Sequence, residues 1–218
     1  MSLQNLILLQ NLYRQKILGF EYCEQFNINE EHFQIKAKNM TELKNHISSC
    51  HLCDLSKSRS QSMVGFGDEK ANLMIIDFSV SSIEDTQNGY YIGRSGESLK
   101  KMCENVLKLS IEDIYLTHAI KCKTLSSNEP SPSECQSCKP YLFSQIEFIK
   151  PKIVVTLGEQ SYKNLTGDDD FDSVRGNVIN LQNYKLIPIY HPSYLLRNPE
   201  LKKTTLNDLK TIKNIIDF

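Results

Sequence analysis

At 218 residues, with 40% hydrophobic and 23% charged positions, the chain has the makeup of a globular protein and not of a disordered one. Its formal net charge of -1 excludes a global basic field, so any nucleic-acid contact has to come from a local patch. The apolar run around residues 6–9 is far short of a bilayer span, and the N-terminus shows neither a basic start nor a small-residue cleavage site, so a cytoplasmic protein without a membrane segment is the expectation.

Residues 1–40 read as an N-terminal helical extension, because Leu6, Leu9, Tyr13, Ile17 and Phe20 follow helical spacing and Gly19 is a plausible stop. With no strand of its own, this segment is expected to pack on the main domain, 41–218, or on a protein partner. A short helix over 41–47, with Thr41 as its N-cap, leads into Cys50. Four short apolar runs follow, at 72–76, 113–116, 152–157 and 185–190. Between and after them lie amphipathic stretches at 96–109, 138–149 and 159–165, and a last helix carrying Leu206, Leu209, Ile212, Ile215 and Ile216. Strands alternating with helices of this length predict an α/β fold: three layers, α/β/α, around a central, mostly parallel four-stranded sheet. The stretches 126–133 and 166–171 read as loops, the second an acidic turn without a ligand role.

In such a sheet, ligands bind beyond the carboxyl ends of the strands. The residues placed there are Asp77 and Phe78, Thr117 and His118, Leu157 and Gly158, and Tyr190 and His191.

Seven cysteines, an odd number with no signal peptide, argue for thiolate ligands and against a disulfide framework. Cys103 sits among Leu99, Met102, Val106 and Leu107 and reads as a buried structural thiol, as does Cys23. The others form two C-x-x-C pairs, Cys50/Cys53 and Cys135/Cys138, with Cys122 between them. The two pairs could make a four-thiolate zinc site. The quartet Cys50, Cys53, Cys122 and Cys138 could equally hold a [4Fe–4S] cluster. Local spacing leaves both open.

The blocks CHLCDLSKSRSQSMVGFGD, YLTHAIKC, ECQSCKPYLFSQIEFIKPKIVVTLGE, VRGN and HPSYLLR, running from Cys50 to Arg197, resemble the family 4 uracil-DNA glycosylases. That resemblance implies the uracil-DNA glycosylase fold and a [4Fe–4S] cluster on Cys50, Cys53, Cys122 and Cys138, with Cys135 extra. It also implies base-excision repair, in which a flipped nucleotide of uracil-containing or otherwise damaged DNA enters a pocket and its N-glycosidic bond is hydrolysed. His191 matches the family's histidine beside the uracil oxygen, and Tyr91 stands where a phenylalanine stacks on the base. Phe78 stands where the family has its water-orienting acidic residue, and His118 where it has its base-reading asparagine. Asp77, one residue from the acidic position, is the substitute carboxylate on offer, although neighbours on a strand point to opposite faces. Lys121, Arg197 and Ser193 are the DNA-contact candidates, with Lys57, Arg59, Lys123 and Arg175 as further members of a basic surface. The expectation is a monomeric glycosylase-like DNA-binding protein of reduced or altered activity. Its rivals are a catalytically inactive DNA- or partner-binding relative and a zinc-stabilised binding module.

Overall fold

The computed structural model describes residues 35–124 and 129–216. The helical reading over 6–20 and the thiol of Cys23 lie outside the described residues.

Helix α1 (Met40–Ser48) is capped by Asn39, whose side chain accepts from the Glu42 N–H at 2.9 Å. The cap is therefore two residues ahead of Thr41, and Asn39 takes the role because its extended backbone aims the amide at the first turn. A 3-10 turn (Asp54–Lys57) follows, and then strands β1 (Phe66–Gly67) and β2 (Leu73–Val80). Helix α2 (Ser82–Gln87) starts with a capping box between Ser81 and Glu84. Helix α3 (Gly93–Met102) continues into a π-helical turn (Cys103–Leu107).

Strand β3 (Tyr115–Lys123) is next, then α4 (Pro132–Ile149), β4 (Ile153–Leu157), α5 (Gly158–Thr166) and the short α6 (Phe171–Val174). The chain finishes with β5 (Ile179–Asn180), β6 (Lys185–Ile189), α7 (Pro192–Arg197), a 3-10 turn (Pro199–Leu201) and α8 (Lys202–Ile216). Helix α4 starts six residues before the predicted 138, because Ser131, Pro132 and Glu134 make a capping box with proline at the first position.

The sheet has six strands in the order β1-β3-β2-β4-β6-β5. Its central four are parallel, as predicted, and the two additions are antiparallel edge strands of two residues each, too short to show periodicity. From β2 the chain steps to β3 on one side and then crosses back over β2 to β4, which opens a crevice at the carboxyl ends.

One face of the sheet buries Met74, Ile76 and Val154 against Leu43 and Ile47 of α1, Leu142 and Ile146 of α4, and Tyr162 of α5. The other buries Ile75, Leu116, Val155 and Ile187 against Leu99 and Cys103 of the α3 region and Leu209 and Ile212 of α8. Cys103 is thus a core thiol, as its pattern predicted, and burial pushes its pKa up to about 12.

Strands β2 and β3 run further than their apolar runs. They stay paired through Asp77 with His118 and Ser79 with Ile120, and slip register only between Ser79 and Val80. Asp77, Phe78 and His118 are therefore inside strands and not beyond their ends, a correction to the sequence reading. Among the described residues no helix is long and apolar enough to cross a membrane.

Candidate active site

A cleft of about 680 Å³ opens at the carboxyl ends of β2, β4 and β6. Asp77, Phe78, Tyr91, His191, Ser193 and Arg197 all line it. His191 is placed by its own helix: it caps α7, with extended backbone, and its Nδ1 accepts from the Ser193 N–H at 3.0 Å and lies 2.6 Å from Ser193 Oγ. The glycine at 158 makes room for it, since a Cβ there would come within 3.1 Å of His191 Cβ and φ is +80°.

With Nδ1 accepting, the ring proton belongs to Nε2, which lies 3.2 Å from Asp77 Oδ2. Burial opposes charge on both partners, but each stabilises the other's charged form: the Asp77 carboxyl is held below the ordinary carboxylate range, and His191 is raised above the ordinary imidazole value. Asp77 Oδ1 also accepts from the Phe78 N–H at 2.6 Å.

Strand alternation sends Asp77 to the sheet face that carries Ile75, His118 and Leu157, the same side as Tyr91, while Phe78 packs toward the opposite core and still reaches the cleft edge. The alternation that counts against Asp77 in the sequence reading is what turns it, and not Phe78, toward His191.

Tyr91 is buried and adopts a left-handed φ of 58° just before α3. Gly96 allows this, because a Cβ there would stand 2.7 Å from Tyr91 Cα and 2.8 Å from its carbonyl oxygen. Phe66 meets Tyr91 edge-on at 6.1 Å.

His118 is not a cleft residue. Its side chain is 0% exposed, under the Tyr90 ring at 5.7 Å, and Nε2 lies 3.4 Å from Glu84 Oε2, an ion-pair contact without hydrogen-bond alignment. The sequence reading places it in the base pocket, whereas here Tyr90 packs against it and its neighbour Glu84 lines the cleft. Glu84, which does line the cleft, was not singled out from the sequence, although the S-x-x-E spacing of Ser81 to Glu84 signals the cap that holds it. Burial works against the Glu84 charge, but His118 and Ser81 outweigh it and keep the carboxyl low.

The basic candidates separate. Lys121 is buried, with its ammonium bonded to Thr117 Oγ1 at 2.8 Å, the His118 carbonyl and Gln145 Oε1, so it offers no charge to DNA. Burial lowers it to about 7. Arg175 pairs with Asp208 and covers the Tyr190 ring at 4.9 Å, and exposed Lys57 pairs with Asp54. Arg197 is exposed on the cleft wall, and Ser193 is committed to His191.

A second small pocket is lined by Cys50, Cys53, Cys122 and Cys138 together with Arg59 and Tyr141, and Cys135 is not in its lining. The pairs follow α1, end β3 and ride on α4, so the fold gathers them from three segments. Arg59 donates from Nη1 to Cys122 Sγ at 3.0 Å and from Nη2 to the Cys50 carbonyl at 2.8 Å, which removes it from the DNA-contact set. Burial pushes the Cys138 thiol up to about 12, although the Lys121 backbone N–H and ammonium act in the opposite direction. The lining thus offers four thiols and no carboxylate, with an arginine as counter-charge, a donor set that suits either a tetrathiolate metal ion or an iron–sulfur cluster.

Known proteins resemble this chain in sequence. The profile of the Uracil DNA glycosylase superfamily matches residues 64–210. A Type-4 uracil-DNA glycosylase of Saccharolobus solfataricus is 31% identical over 187 residues, which cover 82% of this chain and 87% of that one. One from Sulfurisphaera tokodaii is 32% identical over 186 residues, 81% of this chain and 84% of its own. A third, from Archaeoglobus fulgidus, is 29% identical over 184 residues, 80% and 92% respectively. With the profile spanning the sheet, the cleft and His191 alike, the chain belongs to the uracil DNA glycosylase superfamily.

Proposed function

We propose that the protein acts on DNA in base-excision repair, taking a flipped nucleotide into the cleft and hydrolysing its N-glycosidic bond. The observation that carries this reading is the Asp77–His191 pair at 3.2 Å on the cleft wall, a carboxylate and a donor facing one space. The reaction needs three things: a plate to hold the base, a group to handle charge at the departing base, and a carboxylate for the cation-like sugar and incoming water. Tyr91 supplies the plate, and His191 and Asp77 are the polar pair. Phe78, in the acidic residue's place, can neither orient water nor stabilise positive charge, so activity is reduced or altered relative to enzymes that keep the carboxylate there. Loss of such a group costs about 10²–10⁴-fold in rate. Among the described residues Arg197 is an exposed cation of the cleft lining that can meet a phosphate, and DNA is the partner.

The four cysteines Cys50, Cys53, Cys122 and Cys138 fit a [4Fe–4S] cluster and would hold it. When bound, the cluster ties the segment after α1 to β3 and α4 and leaves the hydrolysis to the cleft. Residues 1–40 are an extension to the catalytic domain, 41–218, and the segment where a protein partner would bind.

The test is strand cleavage by alkali after incubation with DNA carrying single damaged bases, in single- and double-stranded form. Base release that disappears in His191→Ala supports the reading. If excess protein leaves uracil, hypoxanthine and alkylated bases in place over hours while still binding DNA, the protein is the inactive DNA-binding relative.

A further inference from the structure

The donor that an anionic leaving base would need is already occupied. His191 Nδ1 is taken by the Ser193 N–H and hydroxyl, and Nε2 faces Asp77 Oδ2 at 3.2 Å. The place beside Nε2, where a departing uracil would bring its oxygen, therefore holds a carboxylate. A uracil leaving group takes the electron pair of the broken bond and becomes an anion, and here that charge would build up against Asp77. Glu84 stands on the same wall, and Glu159 and Asp172 on the rim, against Arg197 and His191 as the cations of the lining. Between them the cleft is lined by Tyr91 and Tyr194, whereas Phe78 packs toward the opposite core and the Tyr190 ring is already covered by Arg175. Carboxylates and aromatic faces in one concave space suit a flat cation, because both the charges and the ring quadrupoles attract it. At about 680 Å³ the space is large enough for a purine.

We infer that the substrate is DNA carrying an N-alkylated, positively charged purine, and that Asp77 is the residue that sets this preference. The inference rests on the glycosylase reading and names its base. With such a substrate the bond from C1′ to the purine nitrogen breaks and its electron pair cancels the positive charge of the ring. The base departs neutral and asks for no donor. Water adds its oxygen to C1′ and gives its proton to solvent. Asp77 assists by facing the cationic base and the cation-like sugar, and it opposes uracil by facing its developing anion.

The full-length protein can be given methylated DNA (containing 7-methylguanine and 3-methyladenine) alongside uracil- and hypoxanthine-containing DNA, with released free bases separated by chromatography. Methylpurine release at least about tenfold above the protein-free control and above uracil release is expected, with a loss of about 10²-fold or more in Asp77→Asn, the low end for removing a working acid–base group. Asp77→Gly should lower methylpurine release and raise uracil release. Uracil or hypoxanthine release that equals or exceeds methylpurine release overturns the substrate class and leaves the glycosylase reading standing. No release from any DNA overturns both. An Asp77→Asn protein that melts like the parent and keeps full methylpurine release overturns the role of Asp77.

Discussion

Gly96→Ala sets helix propensity against sterics at the wall of the cleft. In an ordinary helix the change is favourable by about 0.5–1 kcal/mol, because alanine has less backbone freedom to lose. At this position the new methyl would stand 2.7 Å from Tyr91 Cα and 2.8 Å from its carbonyl oxygen, and closer still to the carbonyl carbon. Those are backbone atoms of a buried residue already at φ 58°, and they cannot swing aside as a side-chain tip would. Overpacking of this kind costs about 1–3 kcal/mol, and a clash with backbone belongs at the upper end. The net expectation is a loss of about 2 kcal/mol, or roughly 4–8 °C in melting temperature for a domain of this size. The comparison is Gly167→Ala, where nothing lies within 4 Å and only the left-handed backbone at φ +77° is strained, for about 1–2 kcal/mol. Thermal melts of both variants give the stability effect, and base release measured well below the melting range separates it from function. Gly96→Ala should lose activity through a displaced Tyr91, and Gly167→Ala should not. A Gly96→Ala protein as stable as the parent, with unchanged base release, would show that the close approach of α3 to Tyr91 does not position the plate.

The Asp77–His191 pair has a defined pH signature. A depressed carboxyl contributes stability that is complete above its unfolded value of 3.8 and is lost as pH falls through the folded value. A raised histidine contributes stability that is complete below its unfolded value of 6.5 and is lost as pH rises through the folded value. Both contributions are therefore full between 3.8 and 6.5, and Asp77→Asn should lower denaturant stability most in that window. A parallel downward shift at every pH would refute the ion pair. For the sulfur site, Cys122→Ser should abolish bound iron and brown colour in anaerobically purified protein, whereas Cys135→Ser should keep both. Zinc content lost on Cys135→Ser would point to the other quartet. Arg59→Ala should speed iron loss in air, because it removes the donor to Cys122 Sγ and the tie to the Cys50 carbonyl. Arg59→Lys should rescue little of it, since an ammonium cannot reproduce the two-armed guanidinium contact.

The parallel core strands were legible in the sequence because a strand buried on both faces is an unbroken apolar run, as at 152–157 and 185–190. The same rule cut β2 and β3 short. Their carboxyl halves carry Asp77, Thr117, His118 and Lys121, polar residues that read as chain leaving the core. Tertiary partners keep them in: Gln145 and Thr117 receive the Lys121 ammonium, and His191 balances Asp77. Thr117 is four residues away on the same strand, but Gln145 comes from α4 and His191 from the loop after β6, and no local window of sequence contains those two. The cysteine motifs and the histidine block could be found by type and spacing alone, since C-x-x-C and H-P-S are contiguous signatures. Which four thiols share a pocket was decided by the packing of α4 and the segment after α1 against β3, and which of Asp77 and Phe78 meets His191 by the register of β2 on β3. That register sets the face for every side chain on both strands, and it is fixed by packing across the whole sheet.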